Sequence, residues 1–299
     1  MKENKEERVS PMSSIVSMEW VNDHRELPDV VVVDCRYILG SPDAGGIAYA
    51  EGHLPGAVYF DLERDLSAPV GEHGGRHPLP SPEELAWKLG RAGIGPETRV
   101  VAYDDQGGSY ASRFWWLLRY YGHRHVVVMD QGFTAWREAG YPVTMEVPEP
   151  EAARFVPRLQ PAWLAGIEEV RMKRNAPGAV LVDSRDPARY AGREETIDPI
   201  AGHIPGAVNR FWKEAIDGVG HWKPAEGQHR RFSGIPRDAE VIVYCGSGVT
   251  ACPNVLSFME AGYPHVKLYA GSWSDWISYE ENPIAIGSEP REEMEEEGA

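Results

Sequence analysis

The chain has 299 residues, of which 42% are hydrophobic, a typical fraction for globular proteins and a length that suggests about two domains. Its formal net charge of −16 argues against nucleic acid or an anionic membrane surface as a main partner. No apolar run reaches the ~20 residues of a membrane-spanning helix, and the polar first dozen residues contain no secretory signal. Three cysteines, an odd number, favour a reducing compartment, so we expect a cytoplasmic protein.

Short apolar runs alternate with helical stretches along the first half of the chain. Four of these runs predict buried strands of a parallel sheet, at residues 30–34, 57–61, 100–104 and 126–130. Ser81 and Pro82 predict the start of a helix that runs to Gly93. A second helix is predicted around residues 113–118 and ends near Gly122. The alternation predicts an α/β fold with a central parallel sheet flanked by helices.

The second half of the chain repeats the first. Residues 52–58, Gly-His-Leu-Pro-Gly-Ala-Val, recur as residues 202–208, Gly-His-Ile-Pro-Gly-Ala-Val, at an offset of 150. Further along, residues 100–104 match residues 241–245 at an offset of 141. Two copies of so long a unit indicate duplicated domains. The predicted parts are a first domain at 12–145, a linker at 146–161, a second domain at 162–285 and an acidic disordered tail at 286–299.

Cys245 follows a predicted strand and begins the loop Cys-Gly-Ser-Gly-Val-Thr, with a helical stretch behind it at 251–261. Two glycines let the main chain curl around the sulfur, and the positive end of the helix adds to the field of the loop. This arrangement favours an anionic, nucleophilic sulfur without any metal. The N–H groups expected to form the cradle are those of Gly246, Ser247, Gly248, Val249 and Thr250.

The Thr250 hydroxyl is predicted either to contact the sulfur or, more simply, to cap the helix. Cys35 and Cys252 are expected to be buried structural thiols, which is also the alternative interpretation of Cys245. Where the second copy has Cys245, the first has Asp104, which cannot carry sulfur. The first domain is therefore predicted to be inactive and to form one wall of a cleft over Cys245.

The repeated His-[Leu/Ile]-Pro-Gly-Ala motif, the loop at Cys245 and the segment Val-Lys-Leu-Tyr-Ala-Gly-Ser-Trp-Ser-Asp-Trp (266–276) together resemble the tandem-domain rhodanese sulfurtransferases. The likeness covers about residues 20–283. It implies two rhodanese domains, an active second domain, and no metal or organic cofactor. It also implies transfer of a sulfane sulfur from thiosulfate to cyanide or a thiol through a persulfide on Cys245, with 3-mercaptopyruvate as the alternative donor.

Donor binding needs cations, and Arg189 matches the family position whose arginine holds the anionic end of the donor. Arg185 is a second candidate and Arg193 a looser one, because a guanidinium can hold a carboxylate or sulfonate through two hydrogen bonds. A surface ion pair is the alternative role for Arg189. The loop resembles the mercaptopyruvate subgroup. However, Asp198 stands near the expected second arginine and would repel a carboxylate, which favours thiosulfate.

In the mercaptopyruvate subgroup, a loop serine and a histidine of the first domain are proposed to move protons. Ser247 and His53 match this pair, with Asp43 as a third member. The same histidine recurs as His203 in the repeated motif, so a structural role is the alternative for His53. Four other histidines lie in loops without metal-ligand spacing and are interpreted as loop residues: His73, His77, His221 and His229.

Two other functions are alternatives to sulfur transfer. A cysteine phosphatase of related fold requires the pattern Cys-x5-Arg, but Ala251 stands at the arginine position and leaves a transferred phosphate without a counter-charge. A non-catalytic sulfur-binding or regulatory module is the second alternative. The intact cysteine in a glycine-rich loop argues against it. The sequence predicts no oligomeric state.

Overall fold

The computed structural model describes residues 13–287, which form two α/β units of similar design. The first sheet has five strands in the order β1-β5-β4-β2-β3, all parallel to their neighbours. Its strands are β1 (Ile15–Val16), β2 (Val30–Asp34), β3 (Val58–Tyr59), β4 (Arg99–Tyr103) and β5 (Val126–Met129). Its helices are α1 (Met18–His24), α2 (Ala44–Glu51), α3 (Pro82–Arg91), α4 (Ser109–Tyr120) and α5 (Phe133–Glu138).

The second sheet has four parallel strands in the order β7-β6-β8-β9. Its strands are β6 (Ala179–Asp183), β7 (Val208–Asn209), β8 (Glu240–Tyr244) and β9 (Val266–Leu268). Its helices are α6 (Ile167–Lys173), α7 (Pro187–Tyr190), α8 (Ala225–Arg231), α9 (Cys252–Glu260) and α10 (Ser272–Trp276). Single 3₁₀ turns occur at Pro161–Trp163 and Trp212–Ala215. Within residues 13–287, no helix has the length and apolar character required to cross a membrane.

The predicted fold class is confirmed: both halves have a central parallel sheet flanked by helices. Ser81 caps α3 by accepting a hydrogen bond from the N–H of Glu84 at 3.1 Å. Strand β3 is shorter than the predicted run. Residues 145–160 contain neither helix nor strand, and the exact domain boundaries remain a prediction. The predicted acidic tail lies, from residue 288 onward, outside the described residues.

One hydrophobic cluster spans both units, and each unit also has a cluster of its own. Helix α4 of the first domain packs against α9 of the second. Phe114 and Leu118 of α4 belong to the same buried cluster as Val255 and Phe258 of α9. An interface of this kind resembles the inside of a single domain, so the loops before the two helices are held in a fixed relation.

Each domain also sends one loop onto the other. We call residues 72–77 the crossing loop of the first domain. Its Gly74 N–H donates to Asp275 Oδ1 at 2.7 Å, and the N–H of Arg76 donates to Ser274 Oγ at 3.1 Å. Gly75 has a φ of 78°, and a Cβ there would lie 2.3 Å from the carbonyl oxygen of Gly271. Only glycine permits this close approach in the left-handed region.

The second domain makes the reciprocal contact through the loop that contains His221 and Trp222. The N–H of Trp222 donates to Asp130 Oδ1 at 2.8 Å, and His221 Nδ1 lies 2.7 Å from Asp130 Oδ2. The Trp222 ring lies against Gly108, where an added Cβ would approach it to 2.7 Å. The loop before α4 is therefore covered by tryptophan, whereas the loop before α9 faces the crossing loop.

Candidate active site

Cys245 lies directly after β8, a strand with neighbours on both sides, and its side chain is 1% exposed. Two hydrogen bonds to the start of α10 fix its backbone. Its N–H donates to Ser272 Oγ at 3.1 Å, and its carbonyl accepts from the N–H of Trp273 at 3.0 Å. The thiol is thus held at the base of its loop by main-chain contacts on both sides.

The loop after Cys245 presents a series of unused hydrogen-bond donors. Within residues 13–287, none of the N–H groups from Gly246 to Ala251 donates to a protein acceptor. Gly248 has a φ of 77°, and a Cβ there would lie 2.1 Å from the carbonyl oxygen of Ala270, so the curl requires glycine. Helix α9 begins with Ala251 as N-cap and without a side-chain cap, so the expectation that Thr250 caps it is wrong. Such a loop suits an anion.

The matching loop of the first domain already contains an anion of its own. The carboxylate of Asp104 accepts hydrogen bonds from four N–H groups at 2.8–3.0 Å. Those donors are Gln106, Gly108, Tyr110 and Ala111. Burial raises the pKa of Asp104, and the four donors act against that shift. The same strand–loop–helix geometry therefore binds a negative charge in one copy and leaves its donors free in the other.

A cleft of about 290 Å³ opens over the Cys245 loop, and both domains line it. The second domain contributes the loop itself, Arg189 and Lys213, and the first domain contributes Arg76 and His77 of the crossing loop. The predicted wall over Cys245 is therefore formed by identifiable side chains of the first domain.

Asp198 joins two arginines that line this cleft. Arg76 Nε donates to Asp198 Oδ1 at 2.9 Å, and Arg189 Nη2 donates to Asp198 Oδ2 at 2.9 Å. Glu195 also accepts from Arg189 at 2.8 Å. An ideal Cβ on Gly246 would lie 2.8 Å from Arg76 Nη2 and 3.7 Å from Arg189 Nη2, so both guanidiniums border the loop. Asp198 is thus ion-paired with Arg76 and Arg189, which weakens the repulsion expected between Asp198 and a donor carboxylate.

The other candidate arginines have different positions. Arg185 is 2% exposed and holds Asp183 through Nε and Nη2, with Nη2 also donating to the Gly202 carbonyl at 2.6 Å. Arg36 makes the same contact with Asp34 in the first domain, which identifies a repeated structural pair. Arg185 lines the cleft, but its fork is held by Asp183, so donor binding by Arg185 stays a prediction. Arg193 is exposed and does not line the cleft.

His53 does not lie next to Ser247. Its Nδ1 lies 2.7 Å from the Tyr49 carbonyl and its Nε2 lies 3.0 Å from the Glu146 carbonyl, so both ring nitrogens are used within the first half of the chain. His203 repeats the Nδ1 contact with the Tyr190 carbonyl at 2.8 Å. The assignment of His53 to proton transfer is corrected: it holds the repeated turn together. Asp43, its suggested partner, is exposed and ion-paired with Arg64 at 2.5 Å.

His77 occupies the position that was expected for His53. Its Nδ1 lies 2.8 Å from Ser247 Oγ across the domain interface, and the imidazole is 5% exposed. Burial, with smaller contributions from Arg113 and Arg76, lowers the pKa of His77 to about 3. The imidazole is therefore neutral near pH 7 and has one proton to share with the hydroxyl. Among residues 13–287, no group of His, Cys, Asp and Glu side chains is arranged to hold a metal ion.

Local patterns in the sequence did not single out Arg76 and His77. The unequal lengths of the two copies were the one sequence signal that pointed to this segment. The offset between the copies falls from 150 at residues 52–58 to 141 at residues 100–104, so the first copy is nine residues longer between these points. The crossing loop lies in that longer stretch. The extra length in the copy without the cysteine therefore coincides with a loop that reaches the cleft of the other copy.

Comparison with known proteins agrees with this geometry. The family model for the rhodanese-like domain matches residues 17–139 and 167–279, which is most of the chain. The chain belongs to the rhodanese family. A Pseudomonas aeruginosa member named "Probable 3-mercaptopyruvate sulfurtransferase" is 43% identical over 265 residues, covering 87% of this chain and 93% of that protein. Mouse thiosulfate sulfurtransferase is 35% identical over 277 residues, covering 88% and 92%.

Solved structures of the rhodanese family include close matches to the whole fold. The 3-mercaptopyruvate sulfurtransferase SseA from Escherichia coli is 30% identical with a TM-score of 0.76, covering 88% of this chain and 99% of that one. The corresponding enzyme from Leishmania major is 30% identical with a TM-score of 0.78, covering 89% and 74%. The predicted class, a sulfurtransferase with tandem rhodanese domains, is confirmed.

Proposed function

We propose that the protein moves a sulfane sulfur from a small anionic donor to a nucleophilic acceptor through a persulfide on Cys245. The contrast between the two loops carries this proposal. In the first copy the N–H groups bind the carboxylate of Asp104, and in the second the matching donors are free around a thiol. A loop that binds an anion on a carboxylate side chain can bind the terminal sulfur of a persulfide in the same way.

With thiosulfate, the Cys245 thiolate attacks the outer sulfur of the donor. A new S–S bond forms to Cys245, the S–S bond of the donor breaks, and its electron pair leaves with sulfite. Cyanide or a cellular thiolate then attacks the outer sulfur of the persulfide and returns Cys245 to the thiolate. One negative charge stays next to the loop in both half-reactions, so the same fixed N–H groups serve each of them.

Arg76 and Arg189 are the proposed clamp for the anionic end of the donor. Their side chains are 28% and 18% exposed, so each can turn part of its fork to a ligand in the cleft. Asp198 contacts both guanidiniums and so holds them next to each other. Lys213 also lines the cleft and, within the described residues, forms no ion pair. The second cation that the loop sequence lacks is thus supplied by the first domain.

Thiosulfate is the donor we propose first, because its transfer needs only an anion clamp and a thiolate. 3-Mercaptopyruvate is a second candidate, favoured by the contact between His77 and Ser247. In that reaction the proton of the donor thiol must reach the methylene carbon as pyruvate leaves. A hydroxyl that shares a hydrogen bond with a neutral imidazole can relay this proton.

The free cysteines are all buried, which fits a reducing compartment such as the cytoplasm.

Steady-state rates with thiosulfate and with 3-mercaptopyruvate, measured side by side with cyanide as acceptor, test this proposal. We expect turnover with at least one donor. Mass spectrometry of protein treated with donor alone should show one extra sulfur atom on the peptide that contains Cys245. A protein that transfers sulfur from neither donor, or gains the sulfur elsewhere, would contradict the proposal.

A further inference from the structure

Arg113 is a fully buried cation of the first domain that touches the catalytic loop of the second. It lies on α4, its side chain is 0% exposed, and its Nη1 donates to the Gly248 carbonyl at 3.2 Å. Its Nη2 donates to the carbonyl oxygens of His77 at 3.2 Å and Leu66 at 3.4 Å. One guanidinium thus holds both the Cys245 loop and the crossing loop.

No carboxylate neutralises this guanidinium. Within residues 13–287, Arg113 forms no ion pair, and its Nε has no hydrogen-bond partner. The other buried arginines, Arg36 and Arg185, each hold an aspartate. A buried cation without a counter-charge is unfavourable, so it stabilises any anion that forms next to it.

The nearby groups that can become anionic are Cys252, Cys245 and Tyr121. Burial raises the pKa of Tyr121, so this phenol is neutral near pH 7. Burial lowers the pKa of Arg113, and the neighbouring Cys252 and Cys245 act in the opposite direction. Burial raises the pKa of Cys252 to about 12, and its Sγ donates to the Gly248 carbonyl at 3.4 Å, so Cys252 is a neutral thiol near pH 7. An arginine retains its proton under the same conditions. Cys245 is the remaining candidate for the anion.

We infer that Arg113 is a positioning residue of the inactive domain whose buried charge stabilises the anionic sulfur of Cys245, as thiolate and as persulfide. It acts through the Gly248 carbonyl, which fixes the loop, and through its uncompensated charge. The inference rests on the proposed function of Cys245. The same charge disfavours the protonated form of His77, which keeps the imidazole neutral beside Ser247.

The first test is the pH dependence of Cys245 alkylation by iodoacetamide, resolved by mass spectrometry of its peptide. The charged and titratable groups around the loop are Arg113, Cys252, His77, Arg76, Arg189 and Asp198, together with Arg185, Asp186, Lys213 and Tyr110 of the same cleft. We expect Arg113→Gln to raise the pH at which the alkylation rate is half-maximal by one unit or more. This shift corresponds to about tenfold slower alkylation at pH 7. Arg113→Lys, which keeps the charge, should restore most of the rate.

Arg119→Gln is the matched control. Arg119 lies on the same helix, but its guanidinium contacts the Arg124 carbonyl and the Trp163 ring rather than the loop. The Arg119→Gln substitution should leave the pH profile of Cys245 alkylation unchanged. A wild-type profile in Arg113→Gln would overturn the inference. A wild-type Cys245 that takes up no sulfur from donor would instead contradict the proposed function, so the two failures are distinguishable.

A second test needs only folded protein and no activity. Cys245→Asp places in the second loop the carboxylate that Asp104 supplies to the first, and Cys245→Asn is its neutral isostere. We expect Cys245→Asp to have a higher Tm than Cys245→Asn when Arg113 is present, and this advantage to shrink in the Arg113→Gln background. An advantage of equal size in both backgrounds would show that the N–H groups alone bind the anion and would overturn the inference. An Arg113→Gln protein that folds with Cys245→Asn but not with Cys245→Asp would be the strongest form of the expected result.

Discussion

His77 Nδ1 and Ser247 Oγ lie 2.8 Å apart although their residues belong to different domains. The hydroxyl lies in the loop that carries the thiol, and the imidazole comes from the copy that has Asp104 in place of the cysteine. The same crossing loop supplies Arg76, whose guanidinium borders Gly246. The site is therefore complete only when both domains are in place.

Cys245→Ser should abolish sulfur transfer with either donor, because a hydroxyl neither attacks sulfur at a useful rate nor holds a persulfide. Cys35→Ser is the matched control, since Cys35 is buried in the first domain and burial raises its pKa. Cys252→Ser should also retain most activity, because a serine hydroxyl can donate to the Gly248 carbonyl as the thiol does. Finding the transferred sulfur on Cys35 or Cys252 would refute the assignment.

Arg76→Ala and Arg189→Ala should each lower kcat/KM for the donor by about ten- to a hundredfold, the effect of losing one charge-assisted hydrogen bond. Discharge of the persulfide to cyanide should change little, because the small acceptor does not need the clamp. Arg64→Ala, which breaks an exposed ion pair with Asp43, serves as the control. Stopped-flow measurement of the two half-reactions separates these effects. Equal losses of rate in the two half-reactions would assign the arginines a structural role.

Asp198→Asn should lower the free energy of unfolding by about 3 kcal/mol, because it leaves two guanidiniums next to each other without their shared carboxylate. Sulfite should restore part of this stability in the variant, since the dianion can take the place of the lost charge. Urea unfolding with and without sulfite measures both effects. A variant as stable as the wild type, or one that sulfite stabilises no more than the wild type, would argue against the bridge.

His77→Gln should reduce turnover of 3-mercaptopyruvate by about a hundredfold and leave thiosulfate turnover within about twofold, because only the first reaction moves a proton. With its pKa at about 3, His77 should add no inflection to the rate between pH 5 and 8. His53→Gln is the comparison: it breaks the contacts with Tyr49 and Glu146 and should lower stability without changing the ratio of the two donors. A ratio that shifts equally in both variants would exclude the relay.

His77 should also make the protein less stable in mild acid. Its folded pKa of about 3 lies below the value of about 6.5 in the unfolded chain, so between these values only the unfolded chain binds the proton. The free energy of unfolding therefore falls as the pH drops below about 6.5, by up to about 1.4 kcal/mol per unit. In urea unfolding at pH 7 and pH 5, His77→Gln should lose less stability than the wild type, whereas the exposed His229→Gln should match it. An unchanged pH slope in His77→Gln would contradict the buried neutral imidazole.

Local sequence signals were sufficient for the fold and for the position of the thiol. The all-valine run before Asp34 predicted β2 with its exact bounds, and the glycines after Cys245 predicted a curled loop. These features depend on neighbours along the chain. The repeat then predicted two domains of one design, because identical turn motifs make identical local contacts, as the paired rings of Tyr49 with His53 and Tyr190 with His203 illustrate.

The residues that the sequence did not identify act across the interface. His77 was interpreted as a loop residue and His53 as a proton carrier, because only His53 belongs to a motif. The distances reverse the two roles. Asp198 was interpreted as repulsive because its partner Arg76 lies far away in the chain. Contacts between domains depend on how two surfaces pack, and no periodicity or spacing within one segment records that.

The carboxylate of Asp104, bound by four N–H groups of its own loop, has a consequence for how the two copies divide the work. The first loop is closed around its own side chain, whereas the second leaves its donors open to the cleft. The crossing loop of the first copy in turn borders the second loop. The thiol and the side chains around it are therefore contributed by separate copies.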